Sequence, residues 1–261
     1  AKGVLDLYDH IRSITGATYS EIADSNIGLI DMLFLRKAQN DDIALPTSTR
    51  PERGWYYGAK VFNPVPGLHR NVVYPDLASL YPYLMWSLNI SPETVYDSID
   101  DAADDGYTED DLYRAYVDRR PDPDKKNSDP DPEEIYYTKP DVKEGFVRSV
   151  ITMLTDMKYA YKGTGKQYEA VKRITNSIYG VFGDSASYGR GFRLFDWRLA
   201  ESITLAGQDV VTYTSDTFEE WLHDNGHENA RRIGGDTDSL ITTFPDLDVT
   251  PEQIQEDHER I

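Results

Sequence analysis

The sequence predicts an α+β fold in which an antiparallel sheet is backed by helices and an antiparallel helical hairpin projects from it. Two observations favour this fold. Runs of β-branched and aromatic residues near 55–76 and 231–244 are typical of strands, and long stretches with helical periodicity lie between them. Sheet and helix stretches of this kind pack in layers around a common core.

An N-terminal helical and linker segment is predicted over 1–54. Apolar residues at helical spacing indicate one short helix near 5–12 and a second one over 20–36 that begins at a capping serine. The stretch 41–54 is predicted to be a loop, because prolines interrupt it.

Two strands are predicted at 55–62 and 71–74, joined by a turn rich in Pro and Gly. Asp76 comes directly after the second strand and precedes a short amphipathic helix. A carboxylate at this place lies beside the N–H groups that a helix start leaves unpaired, so it is well placed to hold a metal ion. The alternative is that Asp76 only caps the helix.

The stretch 97–134 differs from its surroundings in composition. It contains 15 acidic and 5 basic residues, which gives a net charge of −10, and prolines cluster in its second half. Such a stretch has little apolar surface to bury. We therefore expect a mobile or loosely packed acidic insertion that serves solvation and that a functional site does not need.

A helical hairpin is predicted over 145–182, because a Gly-Thr-Gly break at 163–165 separates two stretches of helical periodicity. A further long helix is predicted over 196–222, and a second strand region follows it.

Basic and polar side chains collect on one face of each helix of this hairpin. Lys172, Asn176 and Tyr179 fall within about 60° of one another, and Lys158 and Lys162 are four residues apart. The stretch 158–198 carries 8 basic and 3 acidic residues, a net charge of +5 within a chain of −19. This local positive charge favours an anionic ligand such as a triphosphate or nucleic acid. The alternative is a solvated basic face.

A tight β-hairpin is predicted at 231–244, with the sequence Gly-Gly-Asp-Thr-Asp-Ser at its tip. The tip carries Asp236 and Asp238, whose carboxylates repel each other unless a cation offsets the repulsion. Mg²⁺ prefers one or two carboxylates together with substrate phosphates. The alternative is an ordinary surface turn, since Asp and Gly are common in turns.

The charge of the whole chain is its most unusual compositional feature. There are 46 acidic and 27 basic residues, and the resulting repulsion is screened by salt. We therefore predict a source organism that lives in high salt, such as a haloarchaeon. The chain has no cysteine, which excludes disulfides and thiolate metal sites.

No apolar run approaches the ~20 residues that span a bilayer. We expect a soluble, cytoplasmic protein with no membrane partner. The chain begins without Met and ends in a charged stretch, so we also expect it to be a piece of a longer protein.

Three separated segments, taken in order, resemble sequence elements of family B DNA polymerases. Residues 76–82 resemble the D-x-x-S-L-Y-P element, 172–180 the K-x-x-x-N-S-x-Y-G element, and 235–239 the G-D-T-D-S element. Residues 89–94 match the family's N-I-S-P-E-T continuation, and 56–59 resemble the Y-x-G-G/A element that touches template DNA. The resemblance covers most of the chain outside the acidic insertion.

The resemblance implies a polymerase palm built on an antiparallel sheet, with a fingers subdomain made by the helical hairpin at 145–182. The palm would occupy 55–144, with the acidic insertion at about 97–134, and 183–261, ending before the thumb. Two positions depart from the family pattern. Gly234 stands where the family has Tyr, which alters the packing of the primer end. Lys158 stands where it has Arg, which keeps the charge but loses the two-pronged phosphate geometry.

The resemblance also implies template-directed DNA synthesis by two-metal nucleotidyl transfer, with two Mg²⁺ ions for which Mn²⁺ can substitute. Asp76 and Asp238 would bridge the ions, and the Leu77 carbonyl would complete the ligand set. Asp236 would lie close by as a third candidate catalytic carboxylate.

The residues that the resemblance implies in nucleotide binding are Ser79, Leu80, Tyr81, Lys158, Lys162, Lys172, Asn176, Tyr179 and Gly180. The lysines, the asparagine amide and the backbone N–H groups of the serine and leucine would bind the triphosphate. Tyr81 would pack under the sugar and exclude a 2′-hydroxyl, unless it is an ordinary core tyrosine. Tyr179 and Gly180 would contact the minor-groove side of the new base pair, where glycine permits close approach.

The implied DNA contacts are Tyr56, Gly58 and Thr237. The implied partners are a DNA primer–template, deoxynucleoside triphosphates, and the exonuclease and thumb domains of a longer chain. A sliding clamp would be reached through regions outside this chain.

Two other functions are weighed against this one. D-x-D turns also serve metal-dependent sugar-nucleotide transferases, but that function leaves Lys172, Asn176 and Asp76 unexplained. A non-catalytic polymerase-like module that only binds DNA is disfavoured because all the candidate carboxylates are present.

Overall fold

The computed structural model describes residues 2–24, 26–47, 55–183 and 191–245. The chain divides into two compact units. The helical unit comprises Ala1–Tyr57 and Tyr81–Ile203, and the hairpin unit comprises Gly58–Leu80 and Thr204–Ile261. The end of the predicted loop, 48–54, and the C-terminal stretch 246–261 lie outside the described residues.

The helices are, in chain order, α1 (Lys2–Thr15), α2 (Tyr19–Asp24), α3 (Asn26–Asn40), α4 (Leu80–Ser87), α5 (Ile99–Asp104), α6 (Asp122–Lys125), α7 (Phe146–Ala160), α8 (Lys166–Phe182) and α9 (Trp197–Asp224). The strands are β1 (Val61–Phe62), β2 (Val72–Val73), β3 (Val95–Tyr96), β4 (Leu112–Val117), β5 (Glu133–Thr138), β6 (Arg231–Asp236) and β7 (Ser239–Thr243). Within the described ranges, none of these helices has both the length and the apolar character to cross a bilayer.

The core of the helical unit centres on aromatic rings. Phe34 of α3 meets the rings of Phe146 and Phe192 edge-on at centroid distances of 5.5 Å each, and that of Phe182 at 6.3 Å. Edge-to-face packing of this kind stabilises aromatic pairs beyond the burial of their surface. These contacts hold the N-terminal helices against both helices of the predicted hairpin.

The predicted helix at 20–36 is two helices in the structure. α2 ends at Asp24, and α3 starts at Asn26 and continues to Asn40, beyond the predicted end. Asp and Asn favour helix ends over helix interiors, because their side chains compete for backbone hydrogen bonds. The apolar periodicity continues across the boundary between α2 and α3, so the pattern alone predicts a single helix.

The helical hairpin is confirmed as α7 and α8, with Gly163 and Gly165 at φ +86° and +66° between them. It does not stand alone, because α8 also packs against α1 and α3. One detail of the prediction is wrong: α7 ends at Ala160, so Lys162 lies in the following turn and shares no helix face with Lys158. The left-handed glycine explains the early end, since this conformation terminates helices.

The expectation of a loosely packed insertion at 97–134 is wrong. β4 and β5 pair antiparallel over their full lengths, and β3 extends them to a three-stranded sheet in the order β3-β5-β4. Ala115 and Val117 of β4 are buried in the main core of the helical unit. Apolar residues at alternate positions were enough to form a strand, although charged neighbours masked them in the composition.

The hairpin unit contains a four-stranded sheet in the order β1-β6-β7-β2, with every pair antiparallel. The outer strands are shorter than predicted, because β1 begins only at Val61 and β2 contains only Val72 and Val73. Upstream of β1, the Tyr57 N–H donates to a Glu201 carboxylate oxygen at 3.0 Å within the helical unit instead of to a strand. Helices with antiparallel sheets confirm the predicted α+β class.

Candidate active site

The centre of the hairpin unit is the turn between β6 and β7. Asp236 pairs with Ser239 across it, and Thr237 and Asp238 form its tip, as predicted. Gly235 has no room for a side chain: a Cβ would lie 2.6 Å from the Ser239 carbonyl oxygen and 2.9 Å from the Phe62 ring. The neighbouring Gly234 is less confined, because a Cβ there would meet only Ile241 at 3.4 Å and Pro64 at 3.9 Å.

Thr237 has an unusual backbone conformation, with φ at +60°. This region is rare for a β-branched residue and stores strain of order 1–3 kcal/mol. Three hydrogen bonds hold the turn. The Thr237 N–H donates to the Lys60 carbonyl at 2.9 Å, its hydroxyl donates to the Asp236 carboxylate at 2.9 Å, and the Asp238 N–H donates to the Asp236 carbonyl at 2.7 Å. The turn therefore sets the direction of both carboxylates at the tip.

Asp76 lies beside this turn. It forms an antiparallel bridge with Ser239, and the Leu77 N–H donates to the Asp238 carbonyl at 2.7 Å. Asp76 and Asp238 therefore lie on neighbouring antiparallel segments. Asp76 does not cap α4, which begins four residues later at Leu80.

The carboxylates of the site interact electrostatically. Partial burial, followed by the charges of Asp76 and Asp236, raises the pKa of Asp238 above its usual range. Asp76 and Asp236 themselves are exposed. The two neighbouring carboxylates thus disfavour the ionised form of Asp238.

The donor set fits a cation that a substrate helps to hold. Across the described ranges, no three His, Cys, Asp or Glu side chains converge into a complete metal site. Mg²⁺ commonly takes only one or two carboxylates and completes its shell with water and substrate phosphates. Asp76 and Asp238 would supply such a pair.

The turn before α4 carries three of the predicted ligand-binding groups. Ser79 has a positive φ of +59°, and the Leu80 N–H donates to the Leu77 carbonyl at 3.1 Å. The predicted metal ligand at Leu77 and the predicted phosphate donor at Leu80 are therefore paired with each other. The Leu77 carbonyl keeps a second lone pair for a metal ion, whereas the Leu80 N–H would have to leave this bond to donate to a phosphate.

The predicted faces of α8 are confirmed. Lys172 and Asn176 are exposed and Tyr179 is half-buried, whereas Val171, Ile174 and Ile178 are fully buried. Lys158 on α7 is half-buried, and Lys162 is exposed in the turn that follows. These cations and the amide are thus displayed on the surface of the helical unit.

Gly180 lies at the exposed side of α8. A Cβ added there would meet no atom within 4 Å. The packing of this chain therefore does not require glycine, although glycine weakens a helix relative to alanine.

Three tyrosines of the helical unit form one aromatic group. The rings of Tyr81 and Tyr179 lie 4.3 Å apart between centroids at an angle of 37°. Burial, and then the neighbouring Tyr56 and Tyr81, raise the pKa of Tyr179, and the Tyr56 side chain hydrogen-bonds to it. Tyr56 fills the space at Gly183, where a Cβ would come within 2.1 Å of its hydroxyl oxygen.

A model of DNA polymerase family B matches residues 19–253. This chain belongs to that family. It is 29% identical to DNA polymerase 1 of Sulfolobus acidocaldarius over 214 residues, covering 77% of this chain and 21% of the relative. It is 25% identical to a DNA polymerase of a Thermococcus species over 257 residues, covering 91% of this chain and 28% of the relative. The chain thus spans between a fifth and a third of these relatives' lengths.

The structure resembles that of the family B DNA polymerase from Pyrobaculum calidifontis. The TM-score is 0.67 at 21% identity, over 100% of this chain and 31% of the other. The fold of this chain is therefore similar to that of a family B DNA polymerase.

Sequence reasoning missed the residues that brace the site of this family B chain. The Ser239 hydroxyl lies 2.8 Å from the Tyr74 hydroxyl and 2.9 Å from the Asp236 carbonyl. The Arg232 guanidinium covers the Phe62 ring at 3.9 Å. The serine inside the motif was a usable signal, whereas the tyrosine and the cation–π pair become visible only once the strands are paired.

Gly58, a predicted DNA contact, accepts a hydrogen bond from the Gln208 side chain at 2.7 Å through its carbonyl oxygen.

Proposed function

We propose that this chain is the catalytic part of a longer, template-directed DNA polymerase that adds deoxynucleotides to the 3′ end of a DNA primer. The observation that carries the proposal is the bridge between Asp76 and Ser239, which brings Asp76 beside Asp238 on the next segment. The sheet of the hairpin unit would belong to the palm, in two parts over 55–144 and 183–261. α7 and α8, within 145–182, would form the fingers.

The carboxylates are the proposed metal ligands. Asp76 and Asp238 would hold two Mg²⁺ ions, for which Mn²⁺ can substitute, with the Leu77 carbonyl as a further ligand and Asp236 near the pair. Bound ions of this kind activate an attacking hydroxyl and stabilise the charge on the leaving group. The raised pKa of Asp238 supports this role, because neighbouring carboxylates repel its ionised form and a bound cation would offset that repulsion.

Three lysines of the helical hairpin, of which Lys158 is half-buried and the other two are exposed, are the proposed triphosphate ligands. Lys158, Lys162 and Lys172 would neutralise the phosphates, with the Asn176 amide beside them and the N–H groups of Ser79 and Leu80 as further donors. Binding of a matched nucleotide would bring these groups into place, which couples recognition to chemistry.

The aromatic group would select the nucleotide. Tyr81 would pack under the sugar and exclude a 2′-hydroxyl, and its contact with Tyr179 supports the role because it holds the ring in one place. Tyr179 and Gly180 would face the minor-groove side of the new pair.

The proposed DNA contacts are Tyr56, Gly58 and Thr237. The longer chain would supply exonuclease and thumb domains and the contact to a sliding clamp, and it would act in the cytoplasm.

Primer extension by the full-length protein tests the proposal. Asp238→Asn should abolish extension while primer–template binding persists, because the amide keeps the shape but loses the charge. Asp110→Asn, at an exposed position of the acidic insertion, is the matched control and should extend normally. Wild-type protein that binds primer–template but never extends it would show a non-catalytic module instead.

A further inference from the structure

The acidic insertion is joined to the rest of the helical unit by a buried ion pair. The Lys125 ammonium lies 3.0 and 3.1 Å from the two carboxylate oxygens of Glu201, and both side chains are at most 3% exposed. The same carboxylate accepts the N–H of Tyr57 at 3.0 Å and the N–H of Asp118 at 2.9 Å. A buried charge needs such a set of partners, since a carboxylate left alone in the interior is costly. One carboxylate thus ties the insertion to the backbone of Tyr57.

A second cluster of hydrogen bonds holds the side-chain hydroxyl of Tyr57, at the opposite end of the residue from its N–H. Arg120 donates to the Tyr57 hydroxyl oxygen at 3.0 Å, and that hydroxyl donates to the Ser128 carbonyl at 3.0 Å. Arg120 itself is fixed by the buried Asp118. Burial alone would raise the pKa of Asp118, but hydrogen bonds from Arg120 and from the Asp131 N–H lower it to about 2.

Tyr57 is next in the chain to Tyr56, which contacts Tyr179, and Tyr179 packs against Tyr81. A continuous set of contacts therefore runs from the insertion to the aromatic group. Tyr57 is 7% exposed and its ring meets Trp55 at 4.9 Å, so it has little freedom to move without its neighbour. Both side chains are anchored, so a shift of Tyr57 would displace Tyr56 through the backbone that joins them.

We propose that Arg120 and Tyr57 are positioning residues for nucleotide selection: the folded acidic insertion holds Tyr57 at both ends and thereby fixes the Tyr56–Tyr179–Tyr81 group. This rests on the proposed role of Tyr81 as the sugar-contacting residue. The insertion then contributes to nucleotide selection and does not serve solvation alone. Its acidic surface is separate from the contacts of the half-buried Arg120 and the buried Lys125, and the two have different roles.

The test uses Tyr57→Phe in the full-length polymerase. This change removes only the hydroxyl that Arg120 and Ser128 hold, and it keeps the ring and the N–H bound by Glu201. The ratio of kcat/KM for deoxynucleotides over ribonucleotides should fall by about fivefold, of the order expected when the two hydrogen bonds of this hydroxyl are lost and part of that loss reaches Tyr81. Backbone hydrogen exchange at Tyr56 and Tyr57 should become faster, which is a readout independent of activity.

Tyr116→Phe is the matched control, since Tyr116 is an exposed tyrosine of the same insertion. It should leave both the ratio and the exchange rates unchanged. In a Tyr81→Ala background, Tyr57→Phe should produce no further change in the ratio, because both act through the same ring. If Tyr57→Phe fails to fold, Arg120→Lys replaces it: the ammonium still pairs with Asp118 but cannot also reach the tyrosine.

The outcomes separate the two proposals. A wild-type protein that extends no primer overturns the proposed function. A wild type that extends primers, together with folded variants whose ratio equals that of wild type, overturns the positioning role alone. A fall in activity that is equal for both sugars would give Tyr57 a merely structural role.

Discussion

The N–H of Leu77 donates to the carbonyl oxygen of Asp238 at 2.7 Å. This one hydrogen bond closes a small antiparallel ladder between the segment 75–77 and the tip of the β6–β7 hairpin, and the Leu240 N–H extends it to the Pro75 carbonyl at 3.0 Å. Residues far apart in the chain are thereby placed side by side. The position of Asp76 depends on backbone pairing and not on its own side chain, so the ladder should survive its replacement.

The metal-free protein should be more stable after Asp238→Asn. The folded state raises the pKa of Asp238, so the stability linked to this group is full below the unfolded pKa and is lost as pH rises through the raised value. At neutral pH the ionised carboxylate therefore opposes folding, and the amide does not. Thermal melting in EDTA at pH 5 and pH 8 measures this, with Asp110→Asn as the control. A variant that melts below wild type at both pH values would contradict the electrostatic account.

Lys125→Met should destabilise the fold by about 3–5 kcal/mol, because it leaves Glu201 buried without its cation. The matched control is Arg114→Met. Arg114 pairs with Glu134 at 3.0 Å with both side chains more than 40% exposed, so its loss should cost at most about 1 kcal/mol. Urea unfolding gives both values. If both variants lose the same small amount of unfolding free energy, the insertion is only loosely attached.

Gly180→Ala should raise stability by up to about 1 kcal/mol, because alanine favours the helix and meets no neighbour. Primer extension should nevertheless fall if Gly180 faces the new base pair as proposed, because the added methyl group would then meet the base pair. Gly28→Ala in α3 is the control: its Cβ meets Glu21 at an ordinary 3.4 Å, so stability should rise there without loss of extension. Full activity in Gly180→Ala would remove this residue from the DNA-facing surface.

Added KCl should raise the melting temperature. The net charge is −19, and the excess negative charges repel one another over a screening length of about 10 Å at 0.1 M salt but only about 3 Å at 1 M. A melting temperature that stays constant or falls between these concentrations would refute the high-salt explanation of the composition.

The parts of the site that could be predicted from sequence are those built by local structure. The Asp236–Asp238 tip follows from a short hairpin, and the Lys172–Asn176 face follows from helical spacing. The ties of the insertion could not be predicted in this way. Lys125 and Glu201 are 76 residues apart and Arg120 and Tyr57 are 63 apart. A charged residue that finds a distant buried partner has the same local pattern as one that stays in solvent. The composition of 97–134 therefore indicated solvation, where the fold has a strand, a buried ion pair and a second ionic cluster around the buried Asp118.

Binding of Mn²⁺ followed by electron paramagnetic resonance tests most directly whether Asp76 and Asp238 hold one cation together. The titration uses the full-length protein with a deoxynucleoside triphosphate, and compares wild type with Asp76→Asn, Asp238→Asn and the double variant. Each single variant should weaken binding by at least about tenfold, or 1.4 kcal/mol. The double variant should be hardly weaker than either single one, because the two carboxylates act on a shared ion. Wild-type affinity in either single variant would contradict the account.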